Sequence, residues 1–139
     1  MSTQYPLVAR RPPMIFVVAL AVILSVMFVG EALAAGTWYW YDMTIPKFGG
    51  SNATSNQLKE YAGQAKVQSN LIGGNYDLNM RLEDSANSSK SAWYKINDGT
   101  VITYNNSAAQ YSYVHMRLKT DTFDPVDIQA NGNWSPDTP

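Results

Sequence analysis

Cysteine is absent from this 139-residue sequence. Disulfides, thiolate metal sites and a cysteine nucleophile are therefore excluded. Charge is scarce as well: Asp, Glu, Lys and Arg make up 15% of the chain, against about 25% in an average protein. The net charge of −1 gives no electrostatic pull toward nucleic acid. His115 is the single histidine. One histidine and no cysteine make a poor transition-metal site, and no metal or other cofactor is expected. A small exported domain without disulfides must rely on its apolar core or on a partner.

What the chain does contain begins with Arg10 and Arg11, followed by an uncharged, mostly apolar run of 17 residues from Met14 to Gly30. Glu31 and then Ala32-Leu33-Ala34 follow. A basic stretch, an apolar stretch and an A-x-A site are the three parts of a secretory signal peptide. Residues 1–34 are expected to be that signal, and residues 35–139 a single exported domain, secreted or held at the cell surface. The competing reading is an uncleaved anchor, in which case this segment is the only contact with the membrane. The run is slightly short of the ~20 apolar residues a spanning helix needs. Under the positive-inside rule, both readings place the rest of the chain outside the cytoplasm.

From residue 37 onward, strand signals dominate. Thr37 to Ile45 is aromatic and β-branched, and Pro46 stops it. Residues 49–52 read as loop, 57–64 carry a weak helical flavour, and 65–68 read as a short strand. In residues 76–83 the apolar side chains Tyr76, Leu78, Met80 and Leu82 alternate strictly with Asp77, Asn79, Arg81 and Glu83. A period of two means one buried and one solvated face. Residues 92–96 and 100–104, joined by Asn97-Asp98-Gly99, predict a β-hairpin. Residues 111–118 alternate again, with Val114, Met116 and Leu118 opposite Tyr111, Tyr113, His115 and Arg117. In 126–130, Val126, Ile128 and Ala130 share a face, and Asn131-Gly132-Asn133 reads as a turn. The expected fold is all-β: a small antiparallel β-sandwich of about six or seven strands after an N-terminal signal helix.

No catalytic constellation emerges. His115 lies mid-strand, away from any G-x-S-x-G nucleophile motif, and reads as a partly exposed strand residue. The exported part holds two glutamates, Glu60 and Glu83, and no paired carboxylates. Asp121, Asp124 and Asp127 read as turn residues rather than a Ca²⁺ loop. The aromatics have two readings: they simply suit strands and cross-strand pairing, or they bind, with Trp38 and Trp40 on one face of the first strand and Tyr111, Tyr113 and His115 forming a candidate ligand surface. The chain is expected to be a non-catalytic extracellular binding or structural module, with cell-wall glycan or a protein as partner. An extracellular hydrolase is the alternative enzyme reading, with Glu83 or Asp77 as the first carboxylates to mutate.

The aromatic strand Trp38-Tyr39-Trp40-Tyr41, the segment 113–119 and the closing Gly132-Asn133-Trp134-Ser135-Pro136-Asp137 resemble small exported β-domain proteins of Gram-positive bacteria. The resemblance implies export and an all-β domain, and it carries over no catalytic residue. Gly36-Thr37-Trp38, just after the expected cleavage site, resembles bacteriocins of the lactococcin 972 type, which implies an antibacterial role as an alternative.

Overall fold

Aromatic and β-branched residues at alternate positions favour strands that can bury one face, and nine strands form among the described residues. The computed structural model of the protein describes residues 36–138, which lie within one compact unit, residues 34–139. The expected signal segment, 1–34, lies outside the described residues. In chain order the strands are β1 (Tyr39–Ile45), β2 (Ser51–Ala53), β3 (Gln57–Leu58), β4 (Ala65–Ile72), β5 (Leu78–Asp84), β6 (Tyr94–Ile96), β7 (Val101–Tyr104), β8 (Tyr113–Lys119) and β9 (Ile128–Ser135).

Two antiparallel sheets result. The four-stranded sheet runs β1-β9-β4-β7, and the five-stranded sheet runs β2-β8-β5-β6 with β3 also paired to β8. The strand count exceeds the expected six or seven because of β2 and β3, of three and two residues. Both are too short to show a periodicity. β3 also replaces the helical flavour expected at 57–64.

The inner faces of the two sheets meet in one core. Leu78, Met80 and Leu82 of β5 and Val114, Met116 and Leu118 of β8 are completely buried, as their alternation requires. Register pairs them directly: Met80 with Leu118, and Leu82 with Met116. From the other sheet come Tyr41, Ile45, Val67, Ile128, Ala130 and Trp134. Val126 is a correction to the expected core. It precedes β9 and is 44% exposed, because the chain joins the sheet only at Ile128.

Two turn assignments also change. Asn97-Asp98-Gly99 does reverse the chain: Thr100 N–H donates to the Asn97 carbonyl (3.1 Å) and Gly99 takes φ +70°. Yet β6 pairs with β5 and β7 pairs with β4, so the reversal carries the chain from one sheet to the other rather than closing a hairpin. Asn131-Gly132-Asn133 is not a turn. It lies in the middle of β9, between β1 and β4.

Candidate functional site

The two sheets turn their outer faces in opposite directions, and this divides the aromatic residues singled out in the sequence. Trp40 lies in β1 of the four-stranded sheet and Trp38 just before that strand, whereas Tyr113 and His115 belong to β8 in the five-stranded one. Tyr111 precedes β8 in a left-handed turn conformation (φ +61°) and is not part of the strand row. The five residues therefore form no single surface.

On the four-stranded sheet, β1 buries Tyr41 and Ile45 and turns Trp40, Asp42 and Thr44 to solvent. Trp40 is 60% exposed and Trp38 43%. Trp40 stands opposite Asn133, Asn133 opposite Gln68, and Gln68 opposite Val101, so one row crosses all four strands. The next row sets Asp42 against Asn131. Gln129 donates to Asp42 at 3.0 Å, and the Lys66 ammonium lies 5.4 Å from the centre of the Trp38 ring. The result is a surface of indole rings and amides that also carries Asp42 and Lys66. Amides both donate and accept, and an indole offers an apolar ring face.

The five-stranded sheet is different. Here the expected wet face contains a buried carboxylate, and two sequence readings are corrected. Glu83 is 0% exposed and His115 5%. Strand alternation sets the direction of a side chain; depth depends on what covers it. Glu83 sits mid-sheet opposite His115, and Arg81 opposite Arg117. The long side chains of Arg81 and Arg117 fold over the carboxylate. Arg81 Nε donates to Oε1 at 2.7 Å, and Arg117 Nε to Oε2 at 2.6 Å. His115 Nε2 lies 3.1 Å from Oε2, and its Nδ1 meets the Asn56 side chain at 2.9 Å. Burial pushes the Glu83 carboxyl up, and the hydrogen bonds from Arg117, Arg81 and His115 outweigh it. The group therefore titrates below an ordinary glutamate.

Chemically, Glu83 is fully committed. Both oxygens are occupied, and the second nitrogen of His115 faces an amide rather than a nucleophilic hydroxyl. Asp77, the other carboxylate of the hydrolase reading, pairs with Lys95 at 3.3 Å. Six residues of extended chain put it roughly 20 Å from Glu83, far beyond the 5–9.5 Å of a glycosidase pair. Among the described residues, no group of three His, Cys, Asp or Glu could hold a metal ion. Asp121, Asp124 and Asp127 are turn residues: Asp124 accepts from the Asp121 N–H (2.8 Å) and Asp127 from the Lys47 N–H (2.9 Å).

No protein-family model matches the sequence, and no curated protein matches it. Among solved structures the chain is similar to PirA in its crystal structure. The TM-score is 0.46 at 12% identity, over 74% of this chain and 98% of that one.

Proposed function

We propose that the protein is an exported, non-catalytic binding module that meets a cell-wall glycan on the outer face of its four-stranded sheet. The observation that carries this reading is the row from Trp40 through Asn133 to Gln68. A tryptophan 60% exposed in the regular part of a strand leaves a large apolar ring in water, at a cost that binding recovers. Sugar rings suit such a surface, since their C–H faces stack on indole and their hydroxyls meet amide donors and acceptors. The rigid sheet sets ring and amides in place before the ligand arrives, which keeps the ordering cost low. The committed carboxylate at Glu83 supports the non-catalytic part of the reading.

Retention of the full chain on purified bacterial cell walls and on insoluble neutral polysaccharides tests the proposal. The intact protein should be retained, and Trp40→Ala should lose roughly tenfold in affinity, the equivalent of about 1.4 kcal/mol. Trp40 is exposed, so its removal should leave thermal stability unchanged. Failure of the intact protein to bind any wall or glycan would overturn the glycan assignment.

A further inference from the structure

The opposite face of the protein carries a second feature with its own chemistry. A groove of about 500 Å³ runs over the five-stranded sheet, with Arg81, Arg117 and Lys119 on its floor and Ser51, Asn87 and Trp93 along its sides. Arg81 and Arg117 are direct cross-strand partners, and Lys119 follows on the same face of β8. Like charges placed opposite each other across two strands repel. Glu83 holds the two arginines together from beneath, but it is a single charge under three cations, so the groove keeps an excess of positive charge.

The walls are built as firmly as the floor. Asp84 accepts hydrogen bonds from the N–H groups of Ala86 (3.0 Å) and Ser88 (2.9 Å) and pairs with Lys90 at 3.0 Å. That fixes the loop after β5 and presents Asn87 to Arg117 Nη2 at 2.9 Å. Ser51 Oγ meets Arg117 Nη1 at 3.3 Å from the other side. Trp93 lies over the Arg81 guanidinium at 4.4 Å and is still 40% exposed. Beyond Trp93 and Lys119, a smaller recess of about 200 Å³ continues past Asn79, Asp121 and Thr122. Asn79 and Thr122 are neutral and Asp121 is anionic, so the recess meets hydroxyls and turns an anionic group back toward Arg117.

We infer that this groove is a binding site for an anionic sugar, one bearing a carboxylate or a phosphate. The anionic group sits against Arg117 and Lys119, where the guanidinium keeps one unshared N–H on each terminal nitrogen and the ammonium is a mobile donor. The sugar ring lies against the free face of Trp93, and its hydroxyls reach toward Asn79 and Asp121. The site is independent of the Trp40 surface. It also gives Glu83 a role: the carboxylate orients two guanidiniums that would otherwise drift apart, and leaves the groove positive.

Calorimetric titration of the full chain in mild detergent tests the assignment, with three probes: tri-galacturonic acid, an oligo(glycerol phosphate) and a neutral galactose trisaccharide. At least one anionic probe should bind, with an affinity that falls as salt screens the charges, whereas any binding of the neutral probe belongs to the Trp40 surface and should be lost in Trp40→Ala. Binding of the uronate alone names a sugar carboxylate as the source, and binding of the phosphate alone names a phosphodiester. Arg117→Ala strips Glu83 of a partner and risks the fold, so Lys119→Glu and Trp93→Ala, which leave the ion pairs of Glu83 in place, are the informative variants. Each should lose roughly tenfold or more in affinity for the anionic probe with an unchanged melting temperature, while Trp40→Ala should bind it like the intact protein. Equal binding of the neutral and anionic probes by Trp40→Ala, binding of neither anionic probe, or full anion affinity in Lys119→Glu would overturn the proposal.

Discussion

Lys59 and Asp137, 78 residues apart in sequence, form an ion pair inside the protein, with Nζ 3.4 Å from Oδ1 and both side chains buried. The ammonium also donates to the Pro136 carbonyl at 2.6 Å. The carboxylate accepts from the backbone N–H groups of Glu60 (2.9 Å) and Tyr61 (3.1 Å). The segment after β9 is thus latched to the segment between β3 and β4 without a disulfide. The two partners are not equivalent. Losing Lys59 leaves Asp137 with two N–H donors, whereas losing Asp137 strands a buried ammonium and two N–H groups. Asp137→Ala should therefore cost about 3–5 kcal/mol, and Lys59→Met clearly less. Urea unfolding of the two variants compares them directly. Equal losses would mean that the backbone donors to Asp137 contribute nothing.

Glu83 makes stability depend on acid. Its folded pKa lies below the unfolded value, so its stabilisation is complete above roughly pH 4.3 and is lost as pH falls through the folded pKa. Asp84, held low by the Ser88 N–H and by Lys90, works in the same direction. Unfolding midpoints should hold down to about pH 5 and then drop. Glu83→Gln should lose about 3 kcal/mol at pH 7, the low end for a broken buried pair, because Arg81 and Arg117 are 26% and 23% exposed and can turn to water. Its acid drop should be shallower than that of the intact protein, with Asp84 accounting for what remains. An unchanged slope would remove Glu83 from this role.

The alternating runs at 78–82 and 114–118 were legible because direction in a strand follows from covalent geometry alone. Glu83 and His115 were misread for the same reason. Alternation correctly turns them away from the core, yet cannot report that two arginines from neighbouring positions will cover Glu83 and that Asn56 will meet His115. The Asn97-Asp98-Gly99 reversal was legible as a turn, but a turn encodes a change of direction and not the identity of the next strand's partner. β7 joins β4 through contacts distant in sequence. The aromatic residues were visible as a set, and only the pairing of β1 with β9 and of β8 with β5 separates them onto two faces. The groove over Arg81 and Arg117 had no sequence signal, since the register of β5 against β8 creates it.

The two sides of the core prediction separate by burial. Leu82 and Leu118 are fully enclosed, and Val126 is 44% exposed ahead of β9. Leu82→Ala and Leu118→Ala should each cost about 2–5 kcal/mol through lost burial and the cavity left behind. Val126→Ala should stay within about 0.5 kcal/mol. Urea midpoints of the three variants decide it, and a loss at Val126 comparable to that at Leu118 would extend β9 and its core face to residue 126.

Gly132 supplies the sharpest test of the four-stranded sheet. It sits opposite Tyr41 on one side and Ser69 on the other. The Tyr41 ring lies over it, so a Cβ at this position would meet the Gln68 carbonyl oxygen and come within 2.8 Å of the Tyr41 hydroxyl. The glycine is required by close approach, since only a bare Cα lets the tyrosine ring and the neighbouring strand close over it. The Tyr41 hydroxyl is buried beside that of Ser69, and the two make no well-formed hydrogen bond with each other or with another group among the described residues. Removing it should cost little, because an unpaired buried hydroxyl carries a desolvation penalty of about 1–3 kcal/mol. Tyr41→Phe should therefore be neutral or stabilising. Gly132→Ala should cost about 1–3 kcal/mol or more through overpacking against a backbone that cannot move alone. In the double variant most of that cost should remain, because the Gln68 carbonyl still stands in the way. Thermal melts of the two single variants and the double variant measure all three quantities. A neutral Gly132→Ala would return residues 131–133 to the turn that their composition suggests, and a full rescue by Tyr41→Phe would place the entire conflict at the hydroxyl.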